Sequence, residues 1–84
     1  GMSRIMLDIP DDTLLALKMS PGVMGEALGM AGAVRLFELG QLSSGAAAQL
    51  AGIPRTVFLS KLAEYGVDTF RLNEEQLKKE TRLA

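Results

Sequence analysis

Apolar and polar residues alternate from Ser3 to Ile9. Ile5, Leu7 and Ile9 fall on one side, and Arg4, Met6 and Asp8 on the other. A period of two is the mark of a half-buried strand, so the pattern predicts a strand at 3–9, ended by Pro10. Asp11 or Asp12 then caps a short helix through Met19, with Leu14, Leu15 and Leu17 as its core face. Ser20-Pro21 restarts the chain, because Ser suits an N-cap and Pro the first helical position. The helix they open should run to about Leu39, with Gly40 as its C-cap.

Four glycines interrupt that helix. At about 100° per residue, Gly22, Gly25, Gly29 and Gly32 share one sector of roughly 80°, while Val23, Met30, Val34 and Phe37 occupy another. Interior glycine costs about 0.5–1 kcal/mol relative to alanine. Two readings follow. The sector admits a closely packed neighbour, such as a second subunit, with Gly25, Gly29, Gly32 and Leu36 as the packing residues. Alternatively, the helix is weak and held by its Val-Met-Phe face. A membrane-type dimer is disfavoured, because Glu26, Arg35 and Glu38 break the apolar run.

The richest signal runs from Leu42 to Gly66. Ser43 and Ser44 can cap a helix made close-packing by Ala46, Ala47, Ala48, Leu50 and Ala51. Gly52 supplies a turn with positive φ, Ile53 tucks inward and Pro54 pre-sets the next helix. That next helix should reach about Tyr65, with Phe58, Leu62 and Tyr65 facing in and Leu59 at the edge. The pattern is that of a helix-turn-helix. Beyond Gly66, residues 67–72 read as a second short strand. Asn73 and Gln76 then form a capping-box-like start to a tail helix at 73–84. The predicted architecture is one mainly α domain over 1–84, with a strand at each end of its helical part. Gly1 ahead of Met2 reads as a remnant of tag removal and takes no part.

Composition narrows the chemistry. The 84 residues contain no Cys and no His. Thiol nucleophiles, imidazole bases and zinc-thiolate centres are therefore excluded. Asp11-Asp12 and Glu74-Glu75 are more economically helix starts than paired catalytic carboxylates. The glycines do not form a phosphate-binding loop, since the Lys-Ser/Thr ending is missing. The chain is read as a non-enzyme without cofactor or metal. Its apolar runs fall short of the ~20 residues of a membrane helix, and it begins without a signal-peptide pattern, so a cytoplasmic protein is expected. Mean hydropathy is +0.19, high for so short a chain and consistent with surface covered by another subunit or with a richly apolar core.

A helix-turn-helix commonly holds its second helix in the DNA major groove. The outward sector of that helix carries Thr56, Ser60 and Glu64, with Lys61 at the rim and Arg55 in the first turn. Arg55 is placed to read guanine, Thr56 and Ser60 to contact bases or phosphates, and Lys61 to hold a phosphate. Glu64 opposes phosphate. Lys+Arg number 9 against 10 Asp+Glu, a net charge of -1, whereas DNA-binding domains usually carry a basic excess. DNA contact would therefore need a local patch, a dimer or a second chain. The alternative is a protein-interaction module that uses the helix-turn-helix only as a scaffold.

Ala33-Val34-Arg35-Leu36-Phe37-Glu38-Leu39-Gly40, Leu42-Ser43, Gly45, Ala47-Ala48, Leu50-Ala51-Gly52-Ile53, Arg55, Phe58 and Leu62 resemble a family of small prokaryotic proteins. That family carries an uncharacterised-protein label, and its members are often described as antitoxin-like helix-turn-helix proteins. The apolar N-terminus ending in Ile9-Pro10-Asp11 fits the same pattern. The resemblance implies a partner in a toxin–antitoxin or transcription-regulating setting, commonly a PIN-type nuclease toxin; the homodimer is expected from the helix-turn-helix reading instead. Gln41, Ala46 and Pro54 depart from it, where members often carry Arg, Lys and Ser. Two of these changes remove positive charge beside the motif, and the third removes a side-chain cap.

Overall fold

The structure, a computed structural model, describes residues 1–68. Four helices follow one another: α1 (Asp11–Leu17), α2 (Pro21–Glu38), α3 (Ser44–Ala51) and α4 (Arg55–Lys61), the last continued by a 3₁₀ turn at Leu62–Tyr65. The described residues contain helix and no strand. This overturns the strand expected at 3–9. A strand needs a hydrogen-bonded neighbour, and among the described residues no segment lies beside 3–9 to bond with it. Alternation shows which side a residue takes but supplies no partner. Of the strand expected at 67–72, Val67 and Asp68 are described and belong to none. Its remainder and the tail helix lie outside the described residues.

Local chemistry explains most helix ends. Ser20 accepts a hydrogen bond from the Val23 N–H at 3.3 Å, with Pro21 in the first turn, as expected. Ser43 does the same for α3, taking the Ala46 N–H at 3.1 Å. Gly40, Gly52 and Gly66 all sit near φ +73° and reverse the chain after a helix. At Gly52 the closure is a Schellman pair: Ile53 N–H donates to Ala48 C=O, and Gly52 N–H to Gln49 C=O. α1 departs from expectation at both ends. Pro10 is its cap residue, Asp11 and Asp12 lie inside its first turn, and it stops at Leu17, where Lys18 takes φ +55°. The two acids favour the helix start through its dipole rather than by capping.

The core is formed by Ala33, Val34, Phe37, Ala47, Ala48, Phe58, Leu62 and Val67. α3 packs on both α2 and α4, and its alanines let the Phe37 and Phe58 rings meet edge to face, 5.7 Å apart at 90°. Several expected core residues are absent from it, Leu14 of α1 being half-buried and outside it. Leu15 and Leu17 of α1 are exposed, and so is Tyr65. Val67 takes the inward position expected of Tyr65, because Gly66 turns the chain back and Val67 N–H bonds to Leu62 C=O. Val23 is also exposed, so the inward face of α2 reduces to Met30, Val34 and Phe37 with Ala33. Every fully buried side chain among the described residues lies at Ala33 or later.

Candidate nucleic-acid interface

α3 ends in Gly52, and α4 begins at Arg55. The corner between them is Gly52-Ile53-Pro54, with Ile53 packed on the core. Its tightness follows from the left-handed Gly52 and the fixed φ of Pro54. Phe58 and Leu62 anchor the inner side of α4 and its continuation, both with no exposed surface. The opposite side faces out. Arg55, Thr56, Val57, Ser60, Ala63 and Glu64 are exposed, and Lys61 is half-buried at the rim. The four residues singled out for DNA therefore share one short helix. Thr56 and Ser60 lie one turn apart on its outer face, and Arg55 and Lys61 stand at its two ends.

Two of these side chains have engagements that spacing did not show. The Arg55 Nε–H donates to Ser44 Oγ at 2.7 Å. Ser44 is buried at the first position of α3, so this bond ties the start of one helix to the start of the next. Ser44 was read as a cap, but Ser43 caps and Ser44 anchors Arg55. The Ser60 hydroxyl donates to Val57 C=O at 2.7 Å, turning its hydrogen back on its own helix. Pro54 stands in the cap position of α4 and gives no side-chain cap. Proline has no side-chain acceptor to offer there.

The packing residues on α2 divide. Gly25, Gly29 and Gly32 line one groove of about 640 Å³, together with Ile5, Leu7 and Leu28. A Cβ built on any of these glycines meets nothing within 4 Å, so their close approach serves no neighbour within the described chain. Leu36 is not in the groove; its carbonyl accepts the Gln41 and Leu42 N–H groups that close α2. Spacing missed Leu28 and Leu50 as groove residues. The three-residue alternation at Ile5, Leu7 and Ile9 was the available signal, since all three line the groove while Arg4, Met6 and Asp8 do not.

The fold and this surface define a small protein whose described residues are helical, with a helix-corner-helix unit. The family model described as "Uncharacterised protein family (UPF0175)" matches residues 2–84, and the chain belongs to that family. It is 33% identical over 84 residues to a UPF0175 protein of Aeropyrum pernix, covering 100% of this chain and 89% of that relative. No solved structure matches it. No described helix is long and apolar enough to cross a membrane.

Proposed function

We propose that the protein is an antitoxin-like, DNA-binding regulator that acts as a homodimer and places α4 in the major groove. The observation that carries this reading is the α3–α4 unit. Its inner side is buried on Phe58 and Leu62, while Arg55, Thr56 and Ser60 stand exposed. The Ser44 bond gives Arg55 a preset orientation, which lowers the ordering cost of a base contact. A dimer doubles the few cations each chain offers.

Fluorescence polarisation against the DNA upstream of its own gene, at low salt, tests the proposal. The wild type is expected to bind. The Arg55→Ala, Lys61→Ala pair is expected to lose about tenfold or more, since one good bidentate base contact is worth ~1–3 kcal/mol. Absence of wild-type binding, or binding indifferent to the pair, refutes the DNA role.

A second reading, a toxin-neutralising protein-interaction module, draws support from the polarity of α4. Glu64 is exposed on the 3₁₀ turn that continues α4, the Ser60 hydrogen is engaged internally, and the whole chain carries net -1. Co-purification with the neighbouring gene product, coupled with absent DNA binding, would favour it.

A further inference from the structure

Ser60 stands exposed on the outer face of α4, and its hydroxyl hydrogen is already committed. It donates to Val57 C=O at 2.7 Å, the back-bond that serine readily makes within a helix. A hydroxyl has one hydrogen and two lone pairs. What Ser60 offers outward is therefore an acceptor. Glu64, exposed on the 3₁₀ turn that follows, is a carboxylate and also offers acceptors alone. This end of the surface complements a hydrogen-bond donor.

That polarity rejects most of what a duplex presents. Phosphate oxygens only accept, and Ser60 could donate to one only by giving up Val57. Guanine shows two acceptors in the major groove, so it is a poor match as well. Two donors remain there, the adenine N6 and cytosine N4 amines. Val57 separates them. It lies three residues before Ser60, a spacing that makes side chains neighbours on a helix surface, and it is aliphatic yet 37% exposed. An acceptor beside an exposed aliphatic group matches a base pair with an amine and a methyl on one edge. A·T carries both in the major groove, whereas G·C carries the amine without the methyl.

We propose that Ser60 and Val57 together read one A·T pair, Ser60 accepting from the adenine amine and Val57 resting on the thymine methyl. Ser60 then sets sequence preference instead of holding a phosphate. This pairing requires α4 in the major groove, as proposed above, and specifies what the helix selects there. Arg55, held by Ser44 at the start of α4, carries only donors. The two ends of the outer face therefore have opposite polarity and select different bases.

Binding-site selection from a random duplex library, with the full chain at low salt, tests the pairing. The wild type is expected to select a sequence containing an A·T pair whose preference relaxes in both Ser60→Ala and Val57→Ala, by about fivefold each. Ser60→Thr keeps the acceptor and is expected to keep the preference. Alanine is the better helix former, so circular dichroism should show both alanine variants folded. Two replacements within the selected duplex need no variant. Uracil for that thymine removes only the methyl, and unsubstituted purine for that adenine removes only the amine. Each is expected to weaken the wild type about fivefold. Uracil should then cost Val57→Ala nothing further, and purine should cost Ser60→Ala nothing further. An even loss across all sequences in Ser60→Ala marks a phosphate contact and overturns the pairing. So does relaxation at a guanine, or indifference of the wild type to both replacements. In those three cases DNA binding itself stands. A wild type that selects no sequence overturns the DNA reading and the pairing with it.

Discussion

Ser43 and Ser44 are neighbours with different work. Ser43 holds an amide of its own helix, and Ser44 holds the arginine of the next one. Ser43→Ala is expected to cost about 1 kcal/mol, the usual value of a lost cap, read as a shift in urea midpoint. Ser44→Ala is expected to cost no more in stability, since Arg55 is exposed, but to weaken DNA binding by releasing the guanidinium; the two assays separate the effects. Gly52 has a stricter requirement. At φ +73° an L side chain is strained by about 1–2 kcal/mol, so Gly52→Ala should lower the melting temperature although its Cβ meets no atom within 4 Å.

Among the elements, α4 is too short to persist alone and depends on its inner anchors. Phe58→Ala removes a fully buried ring that meets Phe37 edge to face. It is expected to cost about 3–5 kcal/mol, a large part of the ~5–15 kcal/mol available to an ordinary small protein, and to abolish the cooperative melt seen by circular dichroism. The glycines of α2 separate two cases. Gly22 lies outside the groove in open space, so Gly22→Ala should stabilise by roughly 0.5 kcal/mol through helix propensity. Gly29 lies on the groove floor, so Gly29→Ala should weaken the dimer in light scattering while leaving helix content intact. α1 buries no residue fully; its amides are expected to exchange with deuterium well before those of the second half of α2.

At the scale of the molecule, the fully buried core begins at Ala33, while Ile5, Leu7, Ile9, Leu14, Met24 and Leu28 before it line a groove instead. Such a chain gains stability by association, so its melting temperature should rise with protein concentration. DNA binding should show the electrostatics of a near-neutral protein. With Lys61 from each of two chains engaging phosphate, the slope of log affinity against log salt is expected to be roughly -2, and shallower still after Lys61→Ala.

Features closed within one turn of chain were legible in the sequence. These are the Ser20-Pro21 helix start, the glycine exits at 40 and 52, and the Gly52-Ile53-Pro54 corner with Phe58 and Leu62 behind it. Each depends on backbone geometry and hydrogen bonds a few residues away, which residue type alone decides. Contacts between distant segments were not legible. Alternation put Ile5, Leu7 and Ile9 on one side but could not supply the neighbour that makes a strand. Helical spacing gave α1 an apolar face but could not say that Leu15 and Leu17 would meet no element. Two adjacent serines looked equivalent until tertiary packing brought Arg55 beside one of them. What decided these outcomes was which surfaces the packing of α3 against α2 and α4 covers and which it leaves open. That choice is set by the sum of many non-local contacts, which no local pattern encodes.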